Sequence, residues 1–354
     1  MKVFIPSLLK KGTCMTALND MLMFAREAFA LSGNAAVEIF PLEGRGSDRI
    51  FYRLKWYGTN SAILIHYDSN RTENNYYADI AVFLHQINIP VPKLIRHNPD
   101  QSFIIMEDLG DRDLFSLKEY PWEARRNLYQ KVIDSIHRLH SFPEKDFPWE
   151  RVRLMEGFNQ DLYRWERDYF KDHFVKKVCG IELEEMFAYE LEGELSRLSD
   201  ALLSMPYSFI HRDLQSQNIM IYNDEPFFID FQGMRPGCPF YDLGSLLCDP
   251  YVNLSFDEQY ELLLFYYTLT KREMDFKNFQ NLFLEASIQR LMQALGAYGF
   301  LGVTKGLKHF LEYIPSGLTQ LFRATSHIPS VPILNELVIE CQKAVEKHGL
   351  NEKE

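Results

Sequence analysis

Residues 209–233 read Phe-Ile-His-Arg-Asp-Leu-Gln-Ser-Gln-Asn-Ile-Met-Ile-Tyr-Asn-Asp-Glu-Pro-Phe-Phe-Ile-Asp-Phe-Gln-Gly, and no other stretch constrains the fold of this chain as tightly. Two apolar runs, Ile219–Tyr222 and Phe227–Phe231, are separated by Asn223-Asp224-Glu225-Pro226 and predict a hairpin. Polar residues bracket it in a fixed order. His211-Arg212-Asp213, four further residues and Asn218 match the pattern H-R-D-x-x-x-x-N. Asp213 suits a group that accepts or orients the proton of an attacking hydroxyl. Asn218, through its carbonyl oxygen, and Asp230 suit a magnesium ion bridging nucleotide phosphates, because both offer hard oxygen ligands. The segment therefore predicts a phosphoryl-transfer site on a strand–loop–hairpin.

These residues resemble the aminoglycoside phosphotransferase and choline kinase superfamily, the small-molecule relatives of the protein kinases. The second metal motif is Ile229-Asp230-Phe231-Gln232, not Asp-Phe-Gly, and runs on into Pro236-Gly237 and Phe240-Tyr241-Asp242-Leu243. There is no Ala-Pro-Glu segment and no room for a long activation loop between Asp230 and Asp242. The resemblance implies ATP as co-substrate, Mg2+ as cofactor and a small-molecule acceptor. It also implies that Asp242, at a helix start, supports the catalytic loop together with His211. The implied fold class is α+β, a two-lobed protein-kinase-like fold with a small antiparallel-sheet N-terminal lobe and a mostly helical C-terminal lobe. Residues 1–106 would form the first lobe, 107–111 the hinge and 112–354 the second.

Composition agrees. A chain of 354 residues, 46% hydrophobic with 27 Phe and 19 Tyr, can build substantial cores in about two lobes. No apolar run approaches the length of a membrane span, and Pro6 interrupts the only apolar start. Cysteines 14, 179, 238, 248 and 341 show no C-x-x-C spacing, which fits reduced thiols in a cytoplasmic protein. A formal charge of −11 with no concentrated basic footprint argues against a nucleic-acid partner. Oligomeric state is not readable.

The first third reads as the sheet-rich lobe. Met15–Leu31 has helical spacing, and Ala35–Leu42 and Arg49–Trp56 read as strands joined by Glu43-Gly44-Arg45-Gly46-Ser47-Asp48. Gly44, Gly46 and Ser47 let backbone amides approach nucleotide phosphates without side-chain obstruction. Ser61–Tyr67 is a further strand. Kinase-like enzymes carry on this strand a lysine paired with a glutamate of the next helix, and here it has none. His66, Arg49, Arg53 and Lys55 are the candidate substitutes. A helix over 74–86 and a strand over Ser102–Glu107 follow. Glu107 and Leu109, in the implied hinge, would present backbone groups to adenine.

From Asp111 onward the pattern is helical: Trp122–His140, Met155–Phe174, Leu183–Leu203, Asp257–Leu269, Phe279–Leu301, Leu307–Tyr313 and Ile333–His348. The helices after the metal motif would wall the acceptor pocket. Glu107–Asp111, Ile229–Gln232 and Gln289–Tyr298 narrow the resemblance to bacterial anomeric kinases of cell-wall amino sugars, N-acetylmuramate and N-acetylglucosamine. Gln289 and Arg290 are then candidate sugar contacts. The expected function is transfer of the ATP γ-phosphate to a hydroxyl of a sugar or amino sugar. The alternatives are an amino-alcohol or aminoglycoside kinase, and a silent nucleotide-binding pseudokinase motivated by the missing lysine.

Overall fold

The computed structural model describes residues 15–32, 35–42, 49–271, 274–347 and 349. The glycine-rich turn with Gly44, Gly46 and Ser47 lies outside them, as do Gly33, Asn34 and Cys14. The chain packs into two units that are not contiguous in sequence. The first takes in the described residues to Arg112 with 148–154 and 227–232, and the second holds the remainder.

In the first unit, α1 (Met15–Ala28) precedes an antiparallel sheet of β1 (Val37–Leu42), β2 (Ile50–Trp56), β3 (Asn60–His66), β4 (Leu94–Asn98) and β5 (Phe103–Glu107), in the order β1-β2-β3-β5-β4. α1 stops short of Leu31, because Ala30 takes a left-handed φ of 49° that turns the chain. Helix α2 (Tyr77–Gln86) lies between β3 and β4 in sequence. Leu18, Met21, Leu22, Phe24 and Ala25 of α1 pack on one face of the sheet, against Val37, Ile39, Tyr52, Leu54, Ala62, Leu64, Phe103 and Ile105. Met106 points to the other face, where the Tyr77 hydroxyl of α2 donates to its Sδ at 3.1 Å. Both faces are covered, so β3 reads as a nearly continuous apolar run. The polar edge strand β4 (Leu-Ile-Arg-His-Asn) has no such run and was not expected.

The second unit contains α3 (Trp122–His140), α4 (Gln160–Phe170), α5 (Glu185–Ser204), β6 (Ser208–Ile210), β7 (Ile219–Tyr222), the start of β8 (Glu225–Phe228), β9 (Arg235–Gly237), α6 (Pro239–Leu247), α7 (Phe256–Leu269), α8 (Phe276–Gly299), α9 (Ile314–Ser326) and α10 (Pro332–Lys347). α4 and α8 each continue into a π-helical turn, 171–176 and 300–304. The helix expected from Met155 begins only at Gln160. Upstream of it, the Met155 and Phe158 amides donate to the Met234 and Pro236 carbonyls, and a backbone paired outward cannot also be helical. α9 was not read from the sequence, since Pro315 and Gly317 resemble breakers; proline in a first helical turn is compatible with the fold. The hairpin turn is also tighter than expected. Asn223 and Asp224 alone take left-handed φ values of 52° and 58°, as a two-residue turn requires, so Glu225 and Pro226 belong to β8.

β6 pairs antiparallel with β9, Ser208 opposite Gly237 and Ile210 opposite Arg235, which brings the two ends of the central motif together. α6 lies close against α8. A Cβ on Gly244 would stand 3.0 Å from the Ser287 Cα, so glycine sets how near the helix carrying Asp242 can come. At the end of α8, a Cβ on Gly299 would fall 2.2 Å from the His173 carbonyl oxygen. Alanine would gain about 1 kcal/mol of helix propensity there. The backbone clash costs more, so Gly299→Ala should lower unfolding free energy by about 1–3 kcal/mol in denaturant titration. A neutral or stabilised variant would contradict this packing.

Candidate active site

The loop between β6 and β7 carries Asp213 and Asn218, and two buried carboxylates hold it. Asp242, near the start of α6 and without exposed surface, accepts the His211 amide at 2.7 Å, the Arg212 amide at 2.8 Å and His140 Nε2 at 3.1 Å. His140 Nδ1 in turn meets the Tyr266 hydroxyl at 2.8 Å, so this helix-end histidine belongs to the brace. Asp249 accepts the Ser216 amide at 2.7 Å and the Tyr251 amide at 3.0 Å. Burial raises the Asp249 carboxyl, against the pull of its Ser216 hydrogen bonds. Sequence reasoning missed Asp249, although a lone acidic residue closing the apolar run Leu243–Cys248 was a usable signal.

So held, the loop keeps Arg212 at a left-handed φ of 79°, a conformation that costs a non-glycine residue about 1–3 kcal/mol. Arg212 Nη1 donates to the Asp213 carboxylate at 2.6 Å, and Arg290 Nη2 stands 3.9 Å from its other oxygen. Burial pushes the Asp213 carboxyl up, but Arg212 and Arg290 outweigh it and hold it below the ordinary carboxylate range. Its side chain keeps 23% of its surface open, enough to meet a small molecule. Asn218 Nδ2 donates to the Asp213 carbonyl at 2.9 Å, which fixes the amide and leaves its oxygen as the remaining ligand group.

Beneath the loop, Glu166 of α4 has no exposed surface and accepts from the Tyr241 hydroxyl at 2.9 Å and Gln289 Nε2 at 3.0 Å. Burial raises its carboxyl, while Arg212 works in the opposite direction. Gln289 is itself fully buried, which argues against direct contact with an acceptor. Arg290 also faces inward. It bonds Ser245 Oγ at 3.2 Å, Gln215 Oε1 at 3.3 Å and Gln293 Oε1 at 2.8 Å, and so reaches the Asp213 side of the loop.

In the first unit, Asp230 follows β8 at a left-handed φ of 66°. Its segment is anchored by the Phe228 amide on the Pro90 carbonyl at 2.8 Å and by stacking of Phe231 on Tyr77 at 4.6 Å. The Asp230 carboxylate, 32% exposed, pairs with Arg49 Nη2 and accepts Gln232 Nε2 at 2.8 Å. The Gln232 oxygen accepts from Arg49 Nη1 at 2.8 Å. Arg53 is committed elsewhere: it binds Asp108 and Asp111 at 2.8 Å and the Gly110 carbonyl at 3.2 Å, and its pKa is raised chiefly by the Asp111 hydrogen bond. Lys55 lies over Phe40, and His66 packs edge-on against Phe103 with its pKa lowered by burial. Glu107 ends β5 and accepts the Lys93 amide at 3.2 Å, and Leu109 is buried.

Among the described residues no three His, Cys, Asp or Glu side chains converge as a metal cage. An amide oxygen such as that of Asn218 and a carboxylate such as that of Asp230 are each ligand types that magnesium accepts, since it binds few protein ligands and takes the rest from phosphate and water.

A family model described as "Phosphotransferase enzyme family" matches residues 41–276. A protein of Neisseria meningitidis serogroup B named N-acetylmuramate/N-acetylglucosamine kinase is 24% identical over 259 residues, 71% of this chain and 75% of that protein. One of the same name from Pseudomonas aeruginosa is 23% identical over 318 residues, 87% of this chain and 90% of its own. Among solved structures, Plasmodium vivax ethanolamine kinase aligns with a TM-score of 0.61 at 16% identity, covering 92% of this chain and 91% of that one, which shows a shared fold.

The Asp213 environment yields a signed expectation. With its pKa depressed, Asp213 stays ionised as pH falls through the usual carboxylate value, and its contribution to stability is lost only at the lower folded value. Arg290→Gln removes one of the two cations and should move the Asp213 titration, read by carbon NMR of the labelled carboxyl, to higher pH. An unmoved titration would show that Arg290 does not act on Asp213.

Proposed function

Because this chain belongs to the phosphotransferase enzyme family, we propose that it is an ATP- and magnesium-dependent kinase acting on a sugar or amino sugar, at the anomeric hydroxyl. The observation that carries the reading is Asp213, an ionised and partly open carboxylate on a loop pinned at both ends by buried aspartates. The acceptor hydroxyl passes its proton to Asp213 as its oxygen bonds to the γ-phosphorus, and the bond to the β,γ-bridging oxygen breaks to release ADP. Asn218 and Asp230 would hold magnesium, which when bound offsets the negative charge of the phosphates. The transition state of such transfers is loose, so alignment and charge carry most of the rate and a weak base suffices.

Two things favour the anomeric acceptor. The relatives from Neisseria meningitidis and Pseudomonas aeruginosa are named for amino sugars that possess that hydroxyl. An anomeric hydroxyl is also more acidic than an ordinary alcohol, because the ring oxygen withdraws electron density, and Asp213 is a carboxylate whose basicity its arginines reduce further. No helix among the described residues is long and apolar enough to cross a membrane.

Asp213→Asn should lower turnover by at least about a hundredfold with little change in ATP affinity, since the role belongs to the transition state. Loss of ATP binding at unchanged turnover would assign Asp213 to the nucleotide instead. A panel of acceptors with magnesium-ATP should show transfer to a free amino sugar and none to its 1-O-methyl glycoside, with phosphorus NMR coupling to the anomeric proton. Equal turnover of the glycoside would move the acceptor to a primary alcohol. A panel with no transfer, combined with nucleotide-induced thermal stabilisation, would identify a silent binder.

A further inference from the structure

β3 lacks a basic residue able to clamp nucleotide phosphates, and α2, Tyr-Ala-Asp-Ile-Ala-Val-Phe-Leu-His-Gln, lacks a glutamate to pair with one. Both halves of the usual ion pair are therefore missing. An enzyme of this kind still has to meet the negative charge of a triphosphate. Among the described residues, of the four basic side chains on or beside β2 and β3, three are bound to other groups: Arg53 to Asp108 and Asp111, Lys55 over Phe40 and His66 against Phe103. Arg49 goes to the metal motif.

We propose that Arg49 is the phosphate-binding cation of this chain, held on Asp230 and Gln232 in the nucleotide-free protein and transferred to the phosphates when magnesium-nucleotide binds. The inference rests on the kinase reading and extends it to a named residue.

The geometry supports both states. Arg49 immediately precedes β2 at 9% exposure, with its guanidinium 5.5 Å from the centre of the Phe51 ring. The fork is used bidentately, one arm on the Asp230 carboxylate and the other on the Gln232 oxygen. The same fork fits two phosphate oxygens, and a guanidinium keeps its charge when buried. Gln232 explains why the motif is Asp-Phe-Gln: its amide nitrogen holds Asp230 at 2.8 Å while its oxygen holds Arg49 at 2.8 Å, a bridge that glycine cannot make. Asp230 is fixed from the backbone side by its left-handed φ and by Phe231 stacked on Tyr77, so the arginine is the partner able to leave. While no metal is bound, Arg49 supplies the positive charge that the Asp230 carboxylate requires. With a divalent cation held on Asp230, that charge would be redundant there and Arg49 could turn to the phosphates.

The test compares affinities by titration calorimetry for ATP with magnesium and for adenosine, in wild type, R49Q, R49K and Q232G. Loss of a charge-assisted bidentate contact should weaken ATP binding about 10- to 100-fold in R49Q and leave adenosine within about twofold. R49K should recover part of the loss, and Q232G, which removes one of the two resting partners competing with the phosphates for Arg49, should bind ATP at least as tightly as wild type, a readout that holds even if R49Q is unstable. Unchanged ATP affinity in R49Q, or weakened ATP affinity in Q232G, would overturn the assignment, as would an equal loss for adenosine in R49Q, which marks a structural role. A second arm reads the exchange: Mn2+ alone, followed by electron paramagnetic resonance, should bind R49Q more tightly than wild type because Asp230 has lost its competing cation. Equal Mn2+ affinity would exclude the exchange. Wild type that binds no ATP would instead refute the kinase reading itself.

Discussion

The second unit depends on a negative charge buried where no water reaches it. Asp242 has no exposed surface, and an unpaired carboxylate in such a place costs several kcal/mol. It is offset by three donors, two of them the consecutive amides of His211 and Arg212. Those amides open the catalytic loop, so the charge is satisfied only when the loop takes the conformation that places Asp213. Burial thus turns an ordinary hydrogen-bonding requirement into a constraint on loop shape. The close approach of α6 to α8 at Gly244 is what brings Asp242 deep enough for this to hold.

The same logic accounts for the density of arginine and acid under the loop. Arg212, Arg235 and Arg290 are all largely buried, and three cations in low dielectric demand anionic partners. Glu166 and Asp213 are those partners, with tyrosine and glutamine supplying the remaining hydrogen bonds. The consequence for Asp213 is chemical: it is a weaker base than a solvated aspartate, yet charged over the whole physiological range. A base of that kind suits a reaction whose barrier is lowered by positioning more than by proton abstraction.

In the first unit the balance has the opposite sign. Asp108 and Asp111 are met by Arg53, and Asp230 by Arg49, two arginines of one strand region. Arg53 is saturated by two carboxylates and a carbonyl, which makes it a fixed strut for segment 108–111. Arg49 shares the Asp230 carboxylate with Gln232. Two arginines four residues apart therefore differ in role because one partner set is complete and the other includes an exposed carboxylate with metal-ligand chemistry.

How much of this was legible follows from how local each signal is. The Asp213, Asn218 and Asp230 spacing could be read because a loop and a hairpin are contiguous in sequence, and periodicity placed β1, β2, β3, β5, α3, α5, α7 and α10 within a few residues. The edge strand β4 was lost because its exposed side removes the apolar pattern. The first turn of the expected 155–174 helix was lost because its amides are claimed by Met234 and Pro236, nearly eighty residues later. The inward turn of Gln289 was hidden for the same reason. A helix periodicity shows that a residue is near a face, but only the arrival of Glu166 from α4 decides that the face is closed. Asp249 and Arg49 were visible as residues and not as partners, since their meaning lies in the Ser216 amide and the Asp230 carboxylate. Charged side chains are informative in sequence when their spacing is chemical, as in the catalytic loop. Where tertiary packing chooses the partner, the same residue types carry no local mark, and physical reasoning must wait for burial to be known.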